Sequence, residues 1–323
     1  MIDAAILGLG WWGQALVRAV QGKSDRIRFT KAMVPDPAKR AAVADELGLA
    51  LCSRYDEVLA DPAIDAVVVA TPHSLHVEQV VAAARAGKAV FCEKPLALTR
   101  EGAEQCVAAC ADAGVVLAIG HNRRFMPAVA YLQDAIRRGV LGRVLYLEAH
   151  SSNESARNNF AAWRSESAES PAGGMTGTGI HLLDLAVSLL GRPANVFCRV
   201  STAGVKAPPE DACNALLTFA NGVSATLSMV QTSPRYWRMH VFGSKGSLEI
   251  LNDEEMILHR SGRQPALRSR LAAVDALRIE LDAFAKAIDT ERPYAIAPEE
   301  MVWTAATMEA VCRSLSSGRE ETV

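Results

Sequence analysis

A glycine turn and three polar strand ends are the parts of this chain that could do chemistry. Gly8-Leu9-Gly10-Trp11-Trp12-Gly13 stands directly behind the apolar run 4–7 and directly ahead of the amphipathic run 14–20. Strand, glycine turn and helix in that order make a site for the pyrophosphate of a dinucleotide. The first glycine permits a tight turn, the second lets the phosphates approach the backbone, and the third lets helix and strand pack closely. The free N–H groups of the helix then face the anion. Further on, Thr71-Pro72-His73-Ser74-Leu75-His76 follows the apolar run 66–70, Glu93-Lys94-Pro95 follows 89–92, and Gly120-His121-Asn122-Arg123-Arg124-Phe125 follows 115–119. Taken singly, these segments read as helix initiation, a surface ion pair and solvated charge. None of those readings explains their convergence on consecutive strand ends.

The elements that must position these groups alternate. Strands are predicted at 4–7, 29–34, 66–70, 89–92 and 115–119, with helices between them at 14–20, 38–47, 75–86 and 100–113. A helix in each connection implies parallel pairing and right-handed crossovers. The result is a doubly wound α/β domain over residues 1–122, whose ligand crevice lies at the carboxyl ends of its strands. Residues 123–323 read differently, with strand-like runs at 144–150, 196–201, 215–219, 224–229, 239–242 and 247–250 and no regular helical crossovers. Ala220-Asn221-Gly222 reads as a hairpin turn, because Asn-Gly readily adopts positive φ. A mostly antiparallel sheet is expected, covered on one face by helices at 180–190, 271–289 and 299–316, the last of which are expected to pack back on the first domain. The polar, basic stretch 260–270 is predicted to be a loop.

At this point the chain resembles a family: the glucose–fructose oxidoreductases, inositol dehydrogenases and rhizopine-catabolism oxidoreductases. The matching features are the glycine turn, Thr71-Pro72 with His76, Ala86-Gly87-Lys88 leading into Glu93-Lys94-Pro95, the segment 122–125, Trp163-Arg164, and Gly173-Gly174 followed by Gly179-Ile180-His181 and Asp184. The resemblance implies a Rossmann domain, a second domain on a large open sheet whose outer face forms an oligomer interface, and NAD(P)-dependent redox chemistry on a sugar, polyol or related hydroxy compound. It further implies that Gly8, Leu9, Gly10, Trp11, Trp12, Gly13, Thr71, Pro72, His73, His76, Glu93, Lys94, Asn122, Trp163 and Arg164 contact the cofactor. A homodimer or homotetramer is expected.

The catalytic reading follows from proton demand. Removing a hydride from a carbinol carbon leaves a carbonyl whose hydroxyl proton must pass to a base, and the reverse reaction needs an acid at the same place. Lys94 is assigned to hold that oxygen, and His181 to exchange the proton, since an imidazole titrates near neutrality. Many members of the family carry an aspartate four residues before this histidine; here the position is Gly177. Asp184, three residues after His181 and on the same helix face, is either its substitute or a structural helix residue. Around a small polar ligand the sequence places Lys94, Asn122, Arg124, Trp163, His181, Asp184 and Tyr236.

Cofactor choice turns on the end of the second strand. The acid that reads the ribose is expected about 20 residues past the glycine turn, and the count lands on Val34, with Asp36 beyond it. Without that acid, and with Lys39 and Arg40 close by, the balance tilts toward NADP while NAD stays open.

Bulk properties exclude several classes. The 323 residues carry a net charge of −2, which gives no electrostatic footprint for nucleic acid. No apolar stretch approaches the roughly 20 residues of a bilayer span, and Met1 leads straight into the first strand, so the expectation is a cytoplasmic protein without a membrane partner. Seven cysteines without CxxC spacing argue against a disulfide framework and a zinc site, so no metal is expected. Two rivals to the dehydrogenase remain: a nicotinamide-binding regulator that has lost turnover, and an enzyme that uses transient NAD oxidation to assist elimination or glycoside cleavage.

Overall fold

Ala66–Val69 is apolar throughout and buried on both faces, as a strand covered by helices on either side must be. It is the fourth of six parallel strands that the described residues form in the first half: β1 (Ile2–Leu7), β2 (Ile27–Met33), β3 (Ala50–Cys52), β4 (Ala66–Val69), β5 (Ala89–Glu93) and β6 (Leu117–Gly120), in the order β3-β2-β1-β4-β5-β6. The connections carry α1 (Trp11–Val20), α2 (Ala41–Leu47), α3 (Tyr55–Leu59), α4 (His76–Arg85) and α5 (Arg100–Ala113). The strand order reverses between β1 and β4, so the switch point lies at the carboxyl end of β1, where the glycine turn is. This is a Rossmann-type sheet. β3 went unforeseen because three residues are too few to show a period; it pairs in register with β2 from Lys31↔Ala50 to Met33↔Cys52.

The computed structural model describes residues 1–154, 163, 166–201, 212–262 and 264–323. They fall into two units, Met1–Asn122 with Asp275–Met301, and Arg123–Val274 with Val302–Val323. The first unit recruits α8 (Ala276–Thr290) from late in the chain. Ser24 Oγ donates to Asp282 at 2.5 Å, Phe284 packs on Phe91 with ring centroids 5.7 Å apart, and Tyr294 donates to the Ile119 carbonyl at 3.3 Å. The helix expected from residue 271 starts at Ala276, where the Asp275 side chain caps it by accepting from Arg278 N at 3.1 Å.

The second unit begins with α6 (Pro127–Arg137), which the sequence reading did not include, and is built on one large sheet. Its strands are β7 (Val144–Ser152), β8 (Pro193–Ser201), β9 (Ala212–Phe219), β10 (Ser224–Val230), β11 (Tyr236–Gly243), β12 (Gly246–Leu251), β13 (Glu255–Arg260), β14 (Leu267–Arg270) and β15 (Glu321–Thr322). Among the described residues their order is β14-β13-β12-β11-β7-β10-β9-β8-β15, and every pairing is antiparallel except β10 with β7. Gly222, at φ +83°, makes the turn between β9 and β10. One face of the sheet is apolar, with Leu147, Ala149, Leu227, Met229, Met239 and Val241 buried. α7 (Ile180–Leu190), apolar almost all round, lies on β7 and β10. α9 (Pro298–Ser317) contributes the hydroxyl of Ser314, which accepts from Cys198 N at 2.9 Å. The predicted loop at 260–270 is corrected by β14, an edge strand held to β13 by its backbone although its side chains are largely exposed. Charged edge residues of this kind discourage pairing with another sheet, and they leave no apolar period to detect. No described helix is long and apolar enough to cross a membrane.

The packing of α1 against β1 predicts one large stability effect. A Cβ on Gly13 would lie 2.1 Å from the Gly8 carbonyl oxygen, a backbone atom that cannot rotate away. Gly13→Ala should therefore destabilise the protein by about 1–3 kcal/mol or prevent folding, measured as a fall in the urea midpoint; an unchanged midpoint would contradict the packing described.

Candidate active site

The glycine turn divides its labour in the way the sequence suggests. Gly8 has φ +91°, and a Cβ there would meet the Ala70 carbonyl oxygen at 2.7 Å; its N–H donates to Met33 O at 3.0 Å, tying the turn to the end of β2. Gly13 is required by the approach of α1. Gly10, by contrast, has φ −72°, which any residue adopts, and a Cβ built on it meets nothing within 4 Å. Neither backbone conformation nor packing demands a glycine there, and the backbone at this point is open to a ligand lying against it. This is the fit expected of a dinucleotide pyrophosphate at the first turn of α1. Gln14 braces the turn by donating to Leu9 O at 3.2 Å. Trp11 is exposed and meets Trp12 edge to face, with centroids 5.0 Å apart.

The parallel register carries the next two polar segments to the same rim, where most of their side chains hold each other. Thr71 Oγ1 donates to Gln79 Oε1 of α4 at 2.6 Å. His76 is fully buried, with its ring nitrogens 2.7 Å from Pro95 O and 3.1 Å from Thr71 O. It thus bridges the segments that follow β4 and β5, with both ring nitrogens facing backbone carbonyls. His73, also buried, meets His76 edge to face with centroids 5.6 Å apart. Pro72 precedes this pair in an extended conformation. Glu93 is held within the sheet. Its carboxylate is buried, accepts from Lys94 N at 3.3 Å, and packs so closely on its cross-strand neighbour Gly120 that a Cβ there would come within 2.7 Å of Oε1. Gln79 and Gly120 are the supporting residues that the sequence reading missed; for Gly120 the signal was a glycine directly opposite a buried acid. Lys94 is half-buried at the end of β5, joined to Pro95 by a cis peptide bond. Asn122, half-buried, closes the unit just past β6.

In the second unit, Arg124 and Asp184 find each other. Arg124 Nε donates to Asp184 Oδ2 at 2.7 Å and Nη2 to Oδ1 at 2.8 Å, with a third bond from Nη2 to the Asp184 carbonyl at 3.2 Å. Their side chains are 6% and 1% exposed, so this is a buried bidentate pair. Both were placed around the substrate by sequence; the structure gives them to each other. The pair anchors α7 to the segment 122–125, and His181, buried three residues before Asp184, lies on the same helix face. Arg123, half-buried in the same segment, holds its guanidinium 4.8 Å from the Trp237 ring centroid, and desolvation brings its pKa down to about 10. Gly177 sits in a π-helical turn, Met175–Gly179, that runs into α7. Tyr236 belongs elsewhere. It lies on the sheet face opposite to the buried Trp237 and Met239, where it meets His150 with centroids 6.1 Å apart, and the structure does not bring it to His181. Trp163 is half-buried, and Arg164 lies outside the described residues.

Residues 2–121 match the family described as an oxidoreductase family with an NAD-binding Rossmann fold, and residues 129–249 match the GFO/IDH/MocA C-terminal domain. The chain belongs to the GFO/IDH/MocA oxidoreductase family. Among its curated relatives is the 1,5-anhydro-D-fructose reductase of Ensifer adhaerens, 32% identical over 95% of this chain and 93% of that protein. Another is the 2,7-anhydro-N-acetylneuraminate hydratase of Escherichia coli, also 32% identical, over 77% of this chain and 68% of that one. A levoglucosan dehydrogenase solved with NADH and levoglucosan shares the fold, with a TM-score of 0.90, 24% identity and 100% and 99% of the two chains covered. The GFO/IDH/MocA chain described here is an NAD(P)-binding oxidoreductase.

Two substitutions separate the roles assigned above. Gly10→Val should leave the urea midpoint nearly unchanged while abolishing NAD(P)H binding, measured by quenching of tryptophan fluorescence; a folded variant with unaltered affinity would remove the pyrophosphate from this turn. Arg124→Ala would strand the buried Asp184 carboxylate and should cost about 3–5 kcal/mol, whereas a loss within experimental error would show that the pair is not structural.

Proposed function

We propose that the protein is an NAD(P)-dependent dehydrogenase or reductase that moves a hydride between the cofactor and a hydroxyl-bearing carbon of a ring sugar, polyol or similar small polar compound. The observation that carries this reading is Gly10, a glycine unneeded by the fold at the switch point of a Rossmann sheet, in a chain whose relatives reduce or oxidise sugars. A bound nicotinamide supplies the hydride acceptor or donor. The chain's own groups handle the oxygen and the proton. Lys94 Nζ holds the substrate oxygen, and its positive charge favours the alkoxide-like state as the O–H proton leaves. His181 takes that proton during oxidation and returns it during reduction. The Arg124–Asp184 pair fixes the helix turn from which His181 projects, so Asp184 acts through position rather than as the missing carboxylate.

NADP is the favoured cofactor, on the ground that Val34, buried at the end of β2, replaces the acid that would bind a ribose hydroxyl. Asp36 does not substitute for it, being paired with Lys39 at 3.0 Å. Assembly into a homodimer or homotetramer is proposed through the outer face of the second sheet, where Leu216 and Tyr236 are exposed beside the ion-paired Arg238 and Glu148. A second catalytic reading has one observation in its favour, the similarity to a hydratase: transient oxidation could assist an elimination or addition with no net change in cofactor.

A screen of polyols and anhydro sugars with each cofactor, followed at 340 nm and by product analysis, tests the proposal. Net NAD(P)H change is expected, with the lower Kd for NADP(H). Product formation without net cofactor change would establish the second reading instead. On a substrate found this way, Lys94→Ala should lower turnover by orders of magnitude and His181→Ala by roughly 10²–10⁴-fold. Wild-type turnover in both variants would move the chemistry elsewhere.

A further inference from the structure

Two cysteines meet near one edge of the second sheet, although nothing in their sequence spacing joins them. Cys198 of β8 and Cys213 of β9 stand 15 residues apart. The register pairs Cys198 with Ala215 and Val200 with Cys213, so the two thiols face each other on the diagonal of one sheet face. Their sulfurs are 3.3 Å apart, within hydrogen-bond reach, and both side chains are buried. Ser314 of α9 fixes Cys198 further by accepting its N–H at 2.9 Å.

Other thiols of the chain are held protonated. Burial pushes Cys106 and Cys110 up to about 12 and Cys312 up to about 11, and it raises Cys52 and Cys92 as well. Cys198 goes the other way, because the hydrogen bond from the Cys213 thiol favours its thiolate and outweighs desolvation. A thiolate, not a thiol, attacks an oxidant, so the pair holds a nucleophile and, in contact with it, a second sulfur that can complete a bond. The pair also sits where the ladder ends. Val200 with Cys213 and Ser201 with Ala212 are its last rungs, and the two-residue β15 is the only strand beyond β8 among the described residues. Fraying at a strand end is a low-cost local opening, and it gives a small oxidant access.

We propose that Cys198 and Cys213 form a redox modification site, at which hydrogen peroxide converts the dithiol reversibly into a disulfide that staples β8 to β9. The Cys198 thiolate attacks one peroxide oxygen, the O–O bond breaks, and the departing hydroxide takes a proton from solvent and leaves as water. The Cys213 sulfur then attacks the sulfenic sulfur of Cys198, the S–O bond breaks, and the hydroxide leaves with the Cys213 proton as a second water. Two electrons pass from the sulfurs to the peroxide, and a thiol reductant returns them by exchange. The site is independent of which substrate the oxidoreductase takes.

The test uses the full-length protein, fully reduced and then exposed to millimolar hydrogen peroxide. Remaining thiols are counted in denaturant, blocked with iodoacetamide, and the disulfides mapped by mass spectrometry of peptides. The count should fall from the seven cysteines of the chain to five, with a linked pair carrying Cys198 and Cys213 as the main product, and dithiothreitol should restore all seven. The linkage should form at least about tenfold faster than oxidation at Cys106 or Cys110, since those thiols supply far less thiolate. In Cys213→Ser, Cys198 should stop at the sulfenic acid and be trapped by dimedone, whereas Cys312→Ser should form the linkage as the wild type does. Seven thiols retained under peroxide, a main linkage from Cys198 to Cys312, or oxidation of Cys106 and Cys110 ahead of the pair would each overturn the proposal. The wild-type map decides the matter even if a variant fails to fold, which its melting temperature reports.

Discussion

The approach of α1 to β1 is the constraint on which the rest of the first unit depends. Because no side chain separates Gly13 from the Gly8 carbonyl, the helix can start immediately after the strand, with its first turn at the carboxyl edge of the sheet. The turn is held from both sides, by Gly8 N donating to Met33 O and by Ala70 N donating to Leu7 O. The parallel register of β1, β4 and β5 then fixes which residues share that edge: whatever follows Val69 and Glu93 arrives beside the turn. A shift of one residue in either ladder would turn the alternate face of each strand to the rim.

The second unit solves a different problem, that of holding a polar helix face within an apolar setting. α7 is buried along almost its whole length, so an isolated Asp184 would carry a large desolvation cost. The bidentate bond from Arg124 meets that cost and turns it into a geometric restraint on His181. A buried ion pair of this kind is weak evidence of net stabilisation. It is better evidence of positioning, since a planar guanidinium against a carboxylate allows few orientations.

Much of this was legible in the sequence because period and position coincide. Strand, glycine turn and helix could be placed from residues 4–20, and the polar strand ends from the residues that interrupt apolar runs. β3 was too short to show a period, and the side chains of β14 carry no apolar alternation. For site residues, residue type alone could not tell a group that faces ligand from one that faces its own backbone. His76, Glu93, Arg124 and Asp184 have the chemistry of ligand contacts, and the structure adds protein partners for each: Pro95 O for His76, Lys94 N for Glu93, and one another for Arg124 and Asp184. Tyr236 was misplaced by one step of strand alternation, which decides between the two faces of the sheet. Gly10 was already set apart by the sequence as the glycine of phosphate approach, and the structure adds that neither its φ nor its packing requires a glycine there.

The central claim, that this chain transfers a hydride between nicotinamide and a carbinol carbon, is tested most directly by isotope transfer. A turned-over sugar or polyol deuterated at the reacting carbon would be incubated with enzyme and oxidised cofactor, and the recovered nicotinamide examined by proton NMR. The account predicts one deuterium at C4 per carbonyl formed, on a single face of the ring. Product formation with all of the deuterium released to solvent, or retained in the product with no label on the cofactor, would contradict it.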